Sequence, residues 1–165
     1  MNAQKVVIDH FDEELVSFRA LLDVYHRSVH AIPDMIYSPE QKSVWAPDCL
    51  EVSSWHERLQ EHQVWVALGE LNKECLGFIE LDLKGDIECL YVCPQAQRQG
   101  IAKALLIKAR EHVVHHYENK TEWRVQASDA AYELFLKFGF LPTQRNQIER
   151  LGVLLENTSM AKSLR

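Results

Sequence analysis

Apolar residues in four stretches of the chain recur every three or four positions, which is the spacing of a helix with one buried face. Asp12 and Ser128 are the N-cap candidates for the first and the last of these stretches. Pro39-Glu40-Gln41 can begin one further short helix within a segment that prolines interrupt. The predicted helices cover residues 12–29, 51–62, 99–117 and 131–138.

The other apolar residues form short runs, several of them alternating with polar residues, which is the pattern of strands. Three neighbouring runs are separated by turns that contain glycine, so they predict an antiparallel meander. A hairpin is predicted from Phe140 to about Leu164, with Gly152 close to its turn. The remaining predicted strands are Lys5–Asp9, Val64–Leu68, Cys75–Leu83, Asp86–Val92 and Glu122–Ala127.

The order of these elements, β-α-α-β-β-β-α-β-α-β-β, indicates the α/β (α+β) class. It predicts one domain over residues 1–165, with a mixed central sheet of about six to seven strands and about four flanking helices.

Charge is distributed unevenly along the 165 residues, whose formal net charge is −6. The first 82 residues hold 15 acidic and six basic residues, whereas the rest hold nine acidic and 12 basic residues. An acidic protein lacks the broad basic face that nucleic acids require, so no nucleic-acid partner is expected. The more basic second half can still hold a compact anion.

The composition also bears on the compartment. No apolar run approaches the ~18 residues of a membrane helix, and the first residues lack the apolar core of a signal peptide. The four cysteines include no Cys-x-x-Cys pair and indicate reduced thiols. A cytoplasmic protein without a membrane partner is therefore expected, and its edge strands and hairpin are compatible with a homodimer.

One segment joins a strand, a polar turn and the strongest predicted helix. The strand ends at Pro94, and the helix opens at Gly100. A helix N-terminus exposes about four N–H groups and partial positive charge, which suits a phosphate or pyrophosphate. The segment lacks the Gly-Lys-Ser/Thr of a Walker loop and the three glycines of a dinucleotide fingerprint. The spacing alone fits an ordinary strand-to-helix turn equally well.

Two motifs occur in order in this region. The first is Gln97-x-x-Gly100-x-Ala102, after a Leu-Tyr-Val-x-Pro strand, and the second is Ala127-Ser128-Asp129-Ala130-Ala131, followed by Phe135-Leu136-Lys137-Phe138-Gly139-Phe140. The first resembles the acetyl-coenzyme-A signature of the GNAT superfamily of N-acetyltransferases, and the second is similar to the next helix and strand of that family. The likeness is strongest over residues 75–141. Tyr37–Gln41 and Arg150–Val153 resemble a bacterial branch that has phenylalanine in place of the usual catalytic tyrosine.

The resemblance implies acetyl-coenzyme A as co-substrate and no metal. The backbone of residues 97–102 would hold the pyrophosphate, and the edge of the preceding strand would pair with the pantetheine arm. The amide of Val92, or that of Leu90, would polarise the thioester carbonyl as an oxyanion hole does. Arg98 either contacts phosphate or is a solvated loop residue, and Ser128 either contacts pantetheine or is only an N-cap. The implied cofactor residues are Leu90, Tyr91, Val92, Gln97, Arg98, Gln99, Gly100, Ile101, Ala102, Ser128 and Phe135.

The family's amine substrate attacks the thioester directly in a ternary complex, and a base or water relay must first remove its proton. Glu88 lies two residues before Leu90, so strand alternation predicts that both share one face. Glu88 is therefore the candidate base or relay, and a solvent-facing carboxylate is the competing interpretation. Glu80 on the preceding strand is the reserve candidate.

Phe135 stands where the family commonly has the tyrosine that protonates the departing thiolate. A thiolate whose conjugate acid has a pKa near 8.5 is a tolerable leaving group, so turnover need not stop. Tyr132, one helical turn earlier, can substitute through water or can serve only in packing. Tyr37 and Trp45 flank the segment that covers the acceptor site in this family.

Two other residue patterns suggest zinc binding and covalent catalysis, but each lacks a partner that this chemistry requires. His26 and His30, like His112 and His116, have the i,i+4 spacing of zinc ligands, but no third ligand follows at a convincing spacing. No metal site is therefore expected. The two cysteines beside the thioester strand, Cys89 and Cys93, have no His/Asp arrangement to activate them. Covalent catalysis is not expected.

The expected function is acetyl-coenzyme-A-dependent transfer of an acetyl group to a primary amine of a small molecule or peptide. The acidic first half of the chain, which holds the elements expected to meet the acceptor, suits a cationic amine. One alternative is a coenzyme-A-binding regulatory module without turnover. Another is a toxin-like enzyme that acetylates charged tRNA, against which the acidic first half argues.

Overall fold

A computed structural model describes residues 4–49 and 52–165. Seven strands form one sheet in the order β1-β2-β3-β4-β5-β7-β6, and β4 and β5 are the one parallel pair among them. The strands are β1 (Val6–His10), β2 (Gln63–Gly69), β3 (Cys75–Leu81), β4 (Ile87–Val92), β5 (Glu122–Ser128), β6 (Leu141–Arg150) and β7 (Val153–Ser163). The predicted mixed α/β sheet and its antiparallel meander, β2 to β4, are confirmed.

The described residues contain five α-helices that accompany the sheet. Four correspond to the predicted apolar stripes, and the fifth begins at Pro39, where the sequence suggests one further short helix and where Ser38 and Gln41 form a capping box. The helices are α1 (Phe18–His30), α2 (Pro39–Trp45), α3 (Ser53–Glu61), α4 (Ile101–His116) and α5 (Tyr132–Lys137). The predicted helix over residues 51–62 begins outside the described residues at Glu51 and is present from Ser53 on. No helix in the described ranges is both long and apolar enough to cross a membrane.

Two predicted N-caps are wrong. Ser17 caps α1 by accepting a hydrogen bond from Ala20 N at 3.3 Å. Asp12 instead closes a separate turn, in which its Oδ1 accepts from Glu14 N at 2.9 Å, because an aspartate side chain can satisfy a backbone amide two residues on. Ser128 accepts from Ala131 N at 3.2 Å, but this turn precedes α5, whose N-cap is Ala131 itself.

The core lies where helices cover both faces of the first half of the sheet. All of β3 is buried, and α1 and α4 pack against it from opposite faces. Central strands buried on both faces explain why β2 and β3 have nearly continuous apolar sequences.

The predicted C-terminal hairpin is confirmed, and most residues of its first strand, β6, are exposed. Leu151 and Gly152 form its turn, with φ values of 50° and 78°, as a two-residue turn between antiparallel strands requires. The segment around α2 holds this hairpin in place. Gln41 Nε2 donates to Leu154 O at 2.9 Å, and the Tyr37 hydroxyl donates to Glu156 O at 2.7 Å.

Candidate functional site

A gap opens in the sheet between β4 and β5. In the described part of the chain, the register of these two strands contains one pair, Ile87 with Val125, although β4 continues to Val92. On the other side of β4, Cys93 N donates to Leu76 O at 2.9 Å. Backbone groups alternate in direction along an antiparallel strand, so those of Leu90 and Val92 point away from β3 and into the gap.

The N-terminus of α4 lies directly after this strand. Its first helical hydrogen bond runs from Ala104 N to Gly100 O at 3.0 Å, so the amides of residues 101–103 are directed out of the helix end. Gly100 has a φ of 81°, and a Cβ there would meet no protein atom within 4 Å. The phosphate cradle, which we define as the backbone of residues 97–102, is therefore open on the side where a ligand would bind.

The phosphate cradle is tied to neighbouring elements by side chains. Gln97 Nε2 donates to Val92 O at 3.1 Å, and Gln99 Nε2 donates to Gln95 O at 3.3 Å. Arg27 of α1 donates to Gln95 Oε1 at 2.7 Å. The Arg98 backbone has a φ of 61°, and its side chain is exposed and forms no ion pair within the described residues.

A cavity of about 790 Å³ extends from the gap to the hairpin. Strands β4 and β5 form its base, α2 forms one wall with Tyr37 and Trp45, and the hairpin forms another wall that includes Arg150. Ser128 and Phe135 also line it, whereas the phosphate cradle lies outside. A cavity of this size accommodates a small organic ligand.

Tyr37 connects three elements around this cavity. Its buried hydroxyl donates to Glu156 O at 2.7 Å and accepts from Asp129 N at 2.8 Å. Burial raises the pKa of Tyr37, and its ring packs edge-on against Trp45 at 5.2 Å between ring centroids. Tyr25 donates to the Trp45 carbonyl at 2.5 Å. The two predicted acceptor residues are thus brought together, and Tyr37 positions Trp45.

Glu88 does not follow the simple alternation that would place it on the same face as Leu90, because β4 contains a bulge. Glu80 pairs with Cys89 but Leu81 pairs with Ile87, which leaves Glu88 as the extra residue. Arg58 approaches both Glu88 Oε1, at 3.7 Å, and Cys89 Sγ, at 3.8 Å, so these neighbours lie on one side of the strand. Glu88 nevertheless lines the cavity, with 43% of its side chain exposed.

Glu80, the reserve candidate for the base, has a structural role instead. Its fully buried carboxylate accepts hydrogen bonds from Trp55 Nε1 at 3.0 Å and from Arg58 Nε at 2.7 Å, and it lies 2.7 Å from His62 Nδ1. Burial raises the pKa of Glu80, but the hydrogen bonds and charge of Arg58 outweigh that effect and hold the pKa below its ordinary value. A carboxylate occupied by these groups stabilises the fold and is a poor base.

Neither aromatic candidate places a proton donor in the main cavity. Phe135 is buried and packs edge-on against Phe140, with ring centroids 5.3 Å apart. Tyr132 lines a separate, more open cavity with Asp129, Arg145 and Thr158. Phe135 therefore shapes the wall of the main cavity without supplying an acid.

The cysteines near β4 are poor nucleophiles. Burial raises the pKa of Cys93. Burial and the charge of Glu80 raise the pKa of Cys89 well above its ordinary value. Both thiols therefore stay protonated at neutral pH, and a protonated thiol is a weak nucleophile.

Carboxylates outnumber arginines in the cavity wall, and they come from both halves of the chain. Basic side chains pair with four of the five, because Lys120, Arg58, Arg124 and Arg145 approach Asp86, Glu88, Glu122 and Glu156 in that order. Glu122 and Glu156 belong to the more basic second half, so the division of net charge along the sequence does not describe this wall. The acidic residues of the wall are Asp82, Asp86, Glu88, Glu122 and Glu156.

The sequence patterns did not indicate three long-range partners: two arginines that organise the site, and one acidic neighbour of a histidine pair. Arg58 joins the Glu80 carboxylate to Glu88, and Arg145 joins Asp129 to the hairpin. The spacing along the sequence indicates no third ligand for His26 and His30, but the fold brings Asp48 beside them. These partners are far apart in sequence and share no motif.

Comparisons with known proteins agree with this geometry. The profile of the acetyltransferase (GNAT) domain matches residues 34–164. The uncharacterized N-acetyltransferase YafP of Escherichia coli K12 is 32% identical over 143 residues, which are 87% of each chain. A solved GCN5-related N-acetyltransferase of Rhodopseudomonas palustris is 27% identical, with a TM-score of 0.85 over 99% of both chains.

A more distant solved structure contains coenzyme A. The PaiA N-acetyltransferase of Thermoplasma acidophilum, in complex with coenzyme A, is 21% identical and has a TM-score of 0.69. The alignment between the two structures covers 96% of this chain and 99% of the PaiA chain. At this identity it shows the fold alone. From the domain match and the similarity to YafP, we conclude that the chain belongs to the GNAT family of N-acetyltransferases.

Proposed function

We propose that this N-acetyltransferase moves the acetyl group of acetyl-coenzyme A to a primary amine of a small molecule or peptide, by direct attack in a ternary complex. The observation that carries the proposal is the gap between β4 and β5, which leads directly to the open N-terminus of α4. The strand edge in the gap can hold the arm that carries a thioester, and the helix end beside it can hold a pyrophosphate.

The residues of the phosphate cradle bind the pyrophosphate in this proposal. The amides that point out of α4 donate to phosphate oxygens, and the positive end of the helix favours their negative charge. The backbone groups of Leu90 and Val92 pair with the pantetheine arm, because they point into the gap. The arm then passes Ser128 and Phe135, which line the same cavity.

Acyl transfer needs a donor where negative charge develops on the thioester oxygen. The Val92 amide, or that of Leu90, supplies it from a strand whose position β3 fixes through antiparallel pairing. Acetyl-coenzyme A supplies the activated acyl group. The thiolate leaves without a proton from residue 135, and Tyr132 contributes at most through water because it lies outside the main cavity.

One carboxylate of the wall and its aromatic side support an amine as the acceptor. Four of the five wall carboxylates are paired with basic side chains, and Glu88 has the longest of these pairs, at 3.7 Å. Tyr37 and Trp45 line the cavity on the α2 side. Glu88 accepts the proton from the amine, directly or through water, because its side chain is partly exposed within the cavity. Aromatic rings beside carboxylates also suit an organic cation.

A panel of primary amines tests the activity. Purified protein is mixed with acetyl-coenzyme A and each amine, free thiol is followed, and acetylated products are identified by mass spectrometry. Amine-dependent thiol release with a matching acetylated product supports the proposal. Saturable binding of acetyl-coenzyme A without product from any amine would instead support a regulatory coenzyme-A-binding module.

The proposal also covers domain organisation, compartment and oligomeric state. Residues 1–165 form one N-acetyltransferase domain, since a single sheet contains strands from Val6 to Ser163. The enzyme acts in the cytoplasm, which its four free cysteines support. A homodimer forms through the hairpin, where Leu141, Leu151 and Leu154 are exposed, and light scattering of the purified protein measures this.

A further inference from the structure

Three potential metal ligands meet on the surface between α1 and the segment that follows α2. His26 and His30 lie one turn apart on α1, with ring centroids separated by 4.2 Å. Asp48 follows α2, and its Oδ1 lies 2.8 Å from His26 Nε2. One ligand atom from each of the three side chains lies within 4.8 Å of the others. The fold thus supplies the third ligand that the sequence spacing does not reveal.

The surroundings of His30 prepare it to bind a metal. Its Nε2 lies 2.7 Å from Ala46 O, and a carbonyl oxygen only accepts hydrogen bonds. In the neutral ring, Nε2 therefore carries the hydrogen and Nδ1 has the lone pair that a metal would use. Metal-binding histidines commonly donate their second ring nitrogen to a backbone carbonyl in this manner, which fixes both the tautomer and the ring orientation.

We propose that His26, His30 and Asp48 bind one divalent transition-metal ion of the zinc class. Two imidazoles and a carboxylate are a donor set that Zn²⁺ accepts, with water at the remaining position. The ion would take the place of the direct hydrogen bond between His26 and Asp48. Asp48 is 89% exposed and leaves an entry path from solvent.

The position of this site gives the ion a structural role. Ala46 and Asp48 belong to the segment that follows Trp45, the aromatic residue in the wall of the main cavity. Binding of the ion would fasten this segment to α1, which already holds it through Tyr25 and the Trp45 carbonyl. The ion would then order the α2 side of the cavity without contacting the reacting atoms.

The chain contains a matched control for this proposal. His112 and His116 on α4 have the same spacing and stacked rings, with centroids 4.1 Å apart. His116 Nδ1 contacts the His112 carbonyl at 3.0 Å. In the described ranges, no acidic or cysteine side chain joins this pair to form a three-ligand group. This pair therefore tests whether two histidines one helical turn apart are sufficient to bind the metal without a third ligand.

Metal titration of untagged, metal-free protein tests the site. Zn²⁺ binding is measured by calorimetry and Co²⁺ binding by visible absorption, in the wild type and in His26→Asn, Asp48→Asn and His116→Asn. Circular dichroism confirms that each variant is folded. We expect one equivalent to bind, with affinity reduced by at least about tenfold in His26→Asn and Asp48→Asn and unchanged in His116→Asn.

Two results would overturn the site. One is the absence of one-equivalent binding by the wild type at about 1 mM Zn²⁺, where even a weak site is occupied. The other is an equal loss of affinity in His116→Asn and His26→Asn. Neither readout depends on acetyl transfer, so failure of the metal site leaves the proposed function untouched.

Discussion

Gln97 Nε2 donates to the backbone oxygen of Val92 at 3.1 Å, which ties the phosphate cradle to the end of β4. Val92 belongs to the strand edge proposed to meet the thioester arm, and Gln97 opens the loop proposed to meet the pyrophosphate. One side chain thus holds the two parts of the cofactor site in a fixed relation. Such preorganisation matters because a displacement of about 1 Å can reduce a rate by about a hundredfold.

Gly100→Glu is expected to raise the Kd for acetyl-coenzyme A by more than about a hundredfold. The substitution places a carboxylate at the open helix end, where it repels phosphate and occupies the space of the ligand. Calorimetric titration measures this change.

Gly152→Glu is the control for that substitution. Gly152 also has a positive φ, and a Cβ there also meets no atom within 4 Å, so both variants carry similar backbone strain. The control is expected to bind acetyl-coenzyme A normally. Wild-type affinity in Gly100→Glu would contradict the proposed cradle.

Glu88→Gln is expected to lower kcat by at least about tenfold, with little change in the KM for acetyl-coenzyme A, because the amide cannot accept the proton of the acceptor. Steady-state kinetics with a saturating amine measures both constants. Glu149→Gln, an exposed position on β6, is the control. Equal kcat values in wild type and Glu88→Gln would assign proton removal to water alone.

Glu80→Gln is expected to reduce the free energy of unfolding at neutral pH by about 3 kcal/mol, because it removes the buried charge that faces Arg58. The comparison variant is Glu88→Gln, whose partly exposed ion pair contributes less. Urea unfolding of both variants and the wild type gives the values. An unchanged unfolding midpoint in Glu80→Gln would show that this network does not stabilise the fold.

The same network predicts the pH dependence of stability. The pKa of Glu80 is lowered in the folded protein from an ordinary value of 4.5, so its ionised form contributes stability that is complete at neutral pH. That contribution is lost as the pH falls from 4.5 through the folded pKa. The stability difference between wild type and Glu80→Gln should therefore shrink in acid, and unfolding curves at pH 7 and at about pH 3 measure it.

Phe135→Tyr is expected to leave the rate of thiol release unchanged or to raise it. Phe135 lines the cavity, and a hydroxyl that reached the cavity from this position would protonate the departing thiolate. Thiol release with a productive amine measures the effect. A loss of more than about tenfold would mean that Phe135 shapes the acceptor site by its apolar ring.

Local sequence signals predicted the elements that depend on neighbouring residues. Gly100 and Gly152 both adopt the positive φ that their positions in a strand-to-helix turn and a hairpin turn require. Asp12 failed as an N-cap because its side chain found an amide only two residues away. Whether such a side chain closes a local turn or caps a helix depends on small energy differences, which the spacing of apolar residues does not reveal.

Long-range pairing explains the other differences. The bulge at Glu88 is a property of the register between β3 and β4, so period-two alternation could not predict it. Tyr37 and Glu156 are 119 residues apart, and Asp48 reaches α1 only after the chain has folded back through α2. The cofactor cradle lies within one continuous segment, whereas the acceptor cavity is assembled from several.

Residue-resolved amide hydrogen exchange, with and without acetyl-coenzyme A, probes the proposed cofactor site amide by amide. We expect new protection at the amides of Leu90 and Val92 and across residues 98–102, with the hairpin turn at Gly152 unchanged. Binding of acetyl-coenzyme A without protection at the β4 edge and the start of α4 would contradict the proposed site.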